Sequence, residues 1–395
     1  MRILVLNYEF PPLGGGASPV SYELGRELVR QGHRIDLVTM GFDGLPARDL
    51  VAGINVYRVP CLRKQREVCK THEMASFVLA ALPTVARLVA EHKYDINHTH
   101  FIMPTGLLGR LLKFKARLPL VVTMHGSDVP GYNPDRFALQ HRVLRPLWTW
   151  ILQGVDHLIS PSQFLRGLVR KQAAAQPITI IPNGFRYERF RSDRPKERRI
   201  LVVSRMLPRK GVQYLLAALP DLDLRDFEVD IVGDGPYLPT LKQMASELRL
   251  PVKFWGWLDN NSPEIKELYE RSSIFAFTSE AENFPTVLLE AMAAGQAIVT
   301  CDATGCPEVV GSEALLVPPR RPDQLREALR CLIGNDQLRA ELGQRARARV
   351  EQEFGWQSIA RRHVELYYTL SATPTYRQRS LRQRMSVDHG NAQSL

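Results

Sequence analysis

The chain contains no uninterrupted apolar run near the ~20 residues that a membrane-crossing helix needs. Residues 1–7 form a short apolar stretch that suits a buried strand and lacks the longer apolar segment of a signal peptide, so a cytoplasmic location is expected. Cysteine is scarce. Cys61, Cys69, Cys301, Cys306 and Cys331 are odd in number and show neither CxxC spacing nor a nearby His pair. That pattern argues against a disulfide framework or a zinc site, and reduced thiols with no metal role are expected. Also missing are a helix-turn-helix signal, a zinc module and an aromatic RNA-binding motif, which speaks against a nucleic-acid partner.

Acidic residues are short in one half only. Residues 1–198 carry 28 Lys+Arg against 16 Asp+Glu, whereas 199–395 carry 24 against 25, so the whole excess behind the net charge of +11 lies in the first half. There Arg110, Lys113, Lys115 and Arg117 alternate with Leu111, Leu112, Phe114 and Leu118, and Arg142 and Arg145 precede Leu147, Trp148, Trp150 and Ile151. Such basic and apolar surfaces suit an anionic membrane face, or are an ordinary solvated basic face.

What is present is a regular alternation. Continuous Val/Ile/Leu segments at 3–6, 35–39, 54–59, 96–98, 120–124, 157–160 and 178–181 are separated mostly by helical patterns. After a charged stretch at 191–199 the pattern restarts at 200–204, 229–232, 252–255, 274–278 and 297–300. Buried strands alternating with helices predict parallel sheets covered on both faces. At 395 residues the chain is long enough for two such domains. The expected fold class is therefore α/β, with two doubly wound Rossmann-like domains facing across a cleft. Ligands in such sheets sit beyond the carboxyl ends of the strands, so those residues carry the most weight.

Glu282 and Glu290 stand eight positions apart in the segment after the 274–278 strand, the second inside an apolar helical run opened by Pro285. Pro285 suits the first helical turn, where a missing N–H costs nothing. Two acids bracketing a helix start can hold hydroxyls while the N–H groups of Thr286 and Val287 hold phosphate, which suggests a nucleotide sugar. A solvated turn acid and an inward Glu bonded to nearby backbone are the simpler alternative. Arg205 and Lys210 put two cations near the helix that follows the 200–204 strand, unfavourable unless an anion sits there. Gly14, Gly15 and Gly16 form a side-chain-poor loop after the first strand, open to phosphate approach or simply flexible, and not the GxGxxG fingerprint. His125 follows the 120–124 strand beside Gly126, in a structural or a ligand-facing role. Trp255 and Trp257 could meet a base or fill core. Asp221-Leu222-Asp223 has the form of a metal-binding DxD, yet follows a helix rather than a strand, which favours an ordinary loop.

These residues together resemble the fourth glycosyltransferase family, retaining nucleotide-sugar enzymes of the GT-B fold. The resemblance extends to about Leu370. It rests on Pro11 to Gly16, Gly32-His33, His125-Gly126, Pro161-Ser162, Pro182-Asn183-Gly184, Ser204-Arg205 with Lys210-Gly211, Gly233-Asp234-Gly235-Pro236, and the Glu282/Glu290 pair followed by Ala291-Met292-Ala293. It implies an acceptor-side domain over 1–190, a donor domain over 199–356 and a helix at 357–370 crossing back to the first domain; residues 371–395, polar with Arg377, Arg379, Arg382 and Arg384 against a lone Asp388, read by composition as a basic, disordered tail. It further implies that Glu282 holds donor-sugar hydroxyls and Glu290 the ribose, that Arg205 and Lys210 neutralise the diphosphate, that Gly15 and Gly16 approach it, and that His125 contacts the sugar near the reacting carbon. Asn283, Phe284, Pro285, Thr286, Val287 and Trp257 complete the expected donor site.

The same resemblance implies a UDP- or GDP-sugar donor, a saccharide or lipid-linked acceptor, and no metal or other cofactor. The chain departs from the family pattern in two places. Phe185-Arg186 replaces a small apolar residue and Asp, and Asn283 stands where Gly is common, so a different hydroxyl pattern is expected at the sugar. A nucleotide-sugar epimerase of the same architecture, or a non-catalytic sugar-nucleotide or membrane-docking protein, are the alternatives; dependence of product on acceptor separates the first, and lack of turnover the second.

Overall fold

The computed structural model describes residues 1–373 except 16, 67 and 133, with backbone alone over 134–138 and 140. The chain divides into two compact units, Met1–Gly184 joined by the segment from Trp356 onward, and Phe185–Gly355. The second unit begins before residue 190 because Phe185 and Phe190 pack in its core with Tyr269, Phe284 and Phe354. Of the tail expected at 371–395, residues 374 onward lie outside the described residues.

The first unit holds β1 (Arg2–Leu6), α1 (Ala17–Arg30), β2 (Arg34–Met40), β3 (Arg48–Val51), β4 (Ile54–Val59), α2 (Thr71–Glu91), β5 (Ile96–His100), α3 (Thr105–Ala116), β6 (Leu120–Thr123), α4 (Pro134–Leu152), β7 (His157–Ser160), α5 (Gln163–Arg170) and β8 (Ile178–Ile180). Its sheet runs β3-β4-β2-β1-β5-β6-β7-β8. All pairs are parallel except β3 with β4. Successive side chains of a strand face opposite ways, and β1 shows both layers. Leu4 and Leu6 pack with Phe77, Val85, Leu108 and Leu112 of α2 and α3. Ile3 and Val5 pack with Leu24 and Leu28 of α1 and with Ile359 and Tyr367 near the chain's end.

The second unit holds β9 (Glu197–Val203), α6 (Val212–Ala218), β10 (Glu228–Val232), α7 (Leu238–Glu247), β11 (Val252–Gly256), α8 (Pro263–Arg271), β12 (Ser272–Phe277), α9 (Thr286–Ala294), β13 (Ala297–Cys301), α10 (Cys306–Val310), β14 (Ala314–Val317), α11 (Pro322–Ile333) and α12 (Asp336–Phe354). Its sheet, β11-β10-β9-β12-β13-β14, is wholly parallel and follows the doubly wound order that reverses between its first and fourth strands. That reversal sets the ends of β9 and β12 side by side. A last helix, α13 (Trp356–Ser371), returns to the first unit, with Ile359, Ala360 and Tyr367 in its core.

Two strands escape the sequence pattern. β3 is a partly exposed antiparallel edge strand reading Arg-Asp-Leu-Val, which lacks an apolar run; β14, Ala-Leu-Leu-Val, is an apolar edge strand of only four residues. The expectation about long apolar segments also changes. α2 spans 21 residues at a mean hydropathy of 1.5 over its most apolar window, enough by length and composition to cross a membrane. Ser76, Pro83, Thr84 and Arg87 break the run in sequence without breaking the helix. Phe77, Val78, Ala81, Val85 and Leu88 are buried in the core, which is how a packed helix uses such residues.

Candidate active site

A polar constellation of the second unit lies where the sheet order reverses. The loop after β9 carries Arg205 and then a single 3-10 turn, Pro208–Lys210. Gly211 has φ 73°, and a Cβ there would lie 2.1 Å from the Thr278 carbonyl oxygen, so only glycine lets this loop close onto the end of β12. Two bonds then stitch the loops together. Glu280 N–H donates to the Arg209 carbonyl at 3.0 Å, and the Thr278 hydroxyl to the Lys210 carbonyl at 3.3 Å.

That seam brings Lys210 Nζ onto Glu282 Oε1 as an ion pair. The Ser279 hydroxyl donates to the same oxygen at 2.6 Å. Behind it the Glu282 N–H donates to Thr304 Oγ1 at 2.9 Å, and Gly305 N–H to the Glu282 carbonyl at 3.0 Å. Glu282 Oε2 has no hydrogen-bond partner among the described residues and can accept from a ligand hydroxyl. Lys210 Nζ has three protons and uses one on Glu282, leaving donors for an anion. Arg205 is exposed, and no described residue pairs with it. The pair is thus held in place by the fold, while a cation on the same loop, Arg205, is unpartnered among the described residues.

Glu290 lies in the second turn of α9, half-buried, and accepts a 2.7 Å bond from the Tyr269 hydroxyl. Burial pushes its carboxyl above the ordinary range, against the lowering effect of Tyr269 and the Arg189 charge. Of the expected donor contacts, Thr286 is exposed and Val287 half-buried at the start of α9. Trp257, 69% exposed, follows β11 at the carboxyl end of the sheet. Trp255 is structural instead, its indole N–H bonded to Asp230 at 2.7 Å and its ring under Lys253 Nζ at 3.5 Å.

Three expectations need correction. Phe284 packs edge-on to Phe354, 5.6 Å between centroids, so its side chain is core and only its backbone can meet a ligand. Pro285 is the N-cap of α9, just before the first turn, and is buried. The Gly15 N–H, expected to face phosphate, already donates to Glu9 Oε2 at 3.1 Å. Gly16 lies outside the described residues. Asn283 is buried, with its carbonyl oxygen 1.7 Å from where a Gly305 Cβ would stand, so the 282–283 turn is shaped by the loop after β13. The Asp221-Leu222-Asp223 acids sit on the turn after α6, at the opposite end of the sheet from the Lys210–Glu282 pair. Asp223 is bonded to Arg225 at 2.6 Å there. Among the described residues no group of three or more His, Cys, Asp or Glu is arranged for a metal ion.

In the first unit His125 follows β6. Its N–H and that of Gly126 both donate to Asp128 Oδ1 at 3.0 Å, and Asp128 Oδ2 accepts from Ile102 N–H at 2.8 Å. Desolvation holds the His125 imidazole down to about 3, so it is neutral at neutral pH. Sequence reasoning passed over Ser279, Thr304 and Tyr269. The strand-end rule could have found Thr304, three residues past β13, whereas nothing in the sequence singles out Tyr269 on α8.

Two family descriptions match the chain: Glycosyltransferase Family 4 over residues 14–189 and Glycosyl transferases group 1 over 185–349. It is 27% identical to the N-acetyl-alpha-D-glucosaminyl L-malate synthase of Bacillus anthracis, over 90% of this chain and 94% of that protein. It is also 27% identical to the MMP alpha-(1->4)-mannosyltransferase of Mycolicibacterium hassiacum, over 93% and 98%. Among solved structures, the sucrose-phosphate synthase of Thermosynechococcus elongatus superposes with a TM-score of 0.75 at 22% identity, covering 94% of this chain and 99% of that one. Anabaena HepE in complex with UDP-glucose gives 0.70 at 22%, covering 93% and 100%. The epimerase alternative is not favoured by these relatives. With two parallel doubly wound sheets and both family descriptions met end to end, the chain belongs to the group 1, family 4 type of glycosyltransferases and has the GT-B fold.

Proposed function

We propose that this glycosyltransferase takes a sugar from a UDP- or GDP-sugar, with retention of configuration and without a metal ion, and transfers it to a saccharide or lipid-linked acceptor in cell-surface glycan synthesis. The observation that carries this is the Lys210–Glu282 pair at the sheet reversal, with Arg205 exposed and unpaired among the described residues on the same loop. Anabaena HepE has been crystallised with UDP and with UDP-glucose, which supports a nucleotide-sugar donor here.

Glu282 Oε2 would accept from sugar hydroxyls, and Glu290 from the ribose. Arg205 and Lys210 would neutralise the diphosphate, with the α9 N-terminus at Thr286 and Val287 adding its dipole. In the reaction the bond from the anomeric carbon to the diphosphate oxygen breaks. The acceptor hydroxyl attacks the same face, and its proton passes to the departing phosphate oxygen. Negative charge grows on that oxygen, where fixed cations lower the barrier most. His125 would contact the sugar from the first domain.

The acceptor side rests on the first unit's surface. Leu111, Phe114, Leu139, Val143 and Trp150 are exposed on α3 and α4, beside exposed Lys115, Arg117, Arg142 and Arg145. That combination suits an anionic lipid face and a cytoplasmic, peripherally bound enzyme. Yeast GPI3, a phosphatidylinositol N-acetylglucosaminyltransferase subunit 26% identical over 94% of this chain, supports a lipid-linked acceptor. Incubation with UDP- and GDP-hexoses and membrane lipid extract, with chelator present, tests the proposal. An α-linked glycolipid formed only with one sugar nucleotide is the expected result for an α-linked donor; inverted product or turnover abolished by chelation would overturn the mechanism.

A further inference from the structure

Two imidazoles at the ends of β5 and β6 meet in one hydrogen bond. His100 Nδ1 and His125 Nε2 lie 3.0 Å apart, with ring planes 18° from parallel. Both rings are neutral, since burial holds His125 down to about 3 and His100 well below its ordinary value. One proton must therefore serve the bond, and which ring supplies it fixes what His125 offers from its other nitrogen.

The surroundings of His100 decide the question. Its side chain is 1% exposed, against the His98 ring at 4.5 Å between centroids. His98 is itself pinned at both nitrogens, by Thr123 Oγ1 at 2.7 Å and the Tyr367 hydroxyl at 2.7 Å. His100 Nε2 has no hydrogen-bond partner among the described residues. His100 is buried and His125 is partly exposed, so a ring N–H without a protein acceptor is better hydrated on His125 than on His100, and the shared proton sits on His100 Nδ1. His100 is then the donor, His125 Nε2 the acceptor, and the His125 proton sits on Nδ1.

We propose that His100 is a positioning residue that locks His125 in its Nδ1–H tautomer, so that His125 presents a fixed hydrogen-bond donor, rather than a base, to a sugar oxygen. The proposal rests on His125 facing the substrate.

Histidine-selective 15N labelling of the full-length protein reads the tautomers directly. Protonated Nδ1 on both His100 and His125, with a coupling across the shared bond, is the expected result in the wild type. His100→Leu should release His125 into a mixture of tautomers. Asn places its amide where Nδ1 of His stands and Gln does not, so His100→Asn should hold the tautomer and His100→Gln should not. A His125 protonated on Nε2 in the wild type, or unchanged by His100→Leu, would overturn the proposal. Kinetics separate it from the reading beneath it. With UDP and UDP-glucose as probes and a panel of UDP- and GDP-hexoses to find turnover, His100→Leu should lower kcat roughly tenfold or more at unchanged KM, and should lower it no further in a His125→Ala background. Full activity of His125→Ala would remove the substrate-facing role itself; impaired His125→Ala with an independent His100→Leu loss would remove only the tautomer lock.

Discussion

Glu282 places one carboxylate oxygen between Lys210 and Ser279 and leaves the other open. In the proposed roles, loss of either charge would remove stabilisation at the bond being broken. Glu282→Ala and Lys210→Ala should each lower turnover by about 100- to 1,000-fold. Melting temperatures should stay near wild type, because both side chains lie at the rim of the core. Near-normal turnover in either variant would refute its role. Glu290 adds a pH signature. Its carboxyl titrates above the ordinary range, and in the proposed ribose-holding role the ionised form is the one that accepts from the hydroxyls. Nucleotide affinity should therefore fall as pH drops from neutral through that raised value, and calorimetry on Glu290→Gln should show weak, pH-independent binding. At this scale the acids and cations were legible in the sequence, because a charge beside an apolar helix start is conspicuous. Thr304 and Tyr269 were not, since their contacts come from other strands and helices, and the Phe284 ring was misplaced because its partner Phe354 is 70 residues away.

The loop after β9 depends on one backbone conformation. At Gly211 a side chain meets both a positive φ and the Thr278 carbonyl. Gly211→Ala should destabilise by more than about 1 kcal/mol and cut turnover together, read by urea unfolding and initial rates. Strands β5 and β6 with helix α13 gather His98, His100, His125 and His363, all held by burial below their ordinary value, His363 at about 4. Unfolded, each takes up a proton as pH falls through ~6.5. The unfolded state thus binds more protons from there down to about 4, and stability falls with pH in that window, by up to about 1.4 kcal/mol per pH unit for each histidine. Urea unfolding at neutral and mildly acid pH should show this decline, less steep in His363→Gln. A pH-independent midpoint would contradict the buried neutral cluster. Most strands were readable as apolar runs, because parallel strands are buried on both faces; the edge strand β3, Arg-Asp-Leu-Val, carries no such mark, whereas β14, Ala-Leu-Leu-Val, was passed over for its four-residue length.

Over the whole molecule, charge separates by sequence half, with the basic excess confined to residues 1–198. Leu139 and Phe114, 74% and 76% exposed, lie beside that charge. Replacing Phe114 and Leu139 together by Ser should reduce co-sedimentation with anionic vesicles and leave nucleotide binding unchanged, and raised salt should weaken the interaction. Equal sedimentation of the variant would remove the membrane role from this surface. The measurement that tests the central claim most directly is calorimetric titration of the full chain with UDP, GDP and their common sugar nucleotides, with excess chelator present. Micromolar binding of one nucleotide that survives chelation and is lost in Lys210→Ala is the expected result. Binding of none, or binding unaffected by Lys210→Ala, would contradict a donor site built on the Lys210–Glu282 pair.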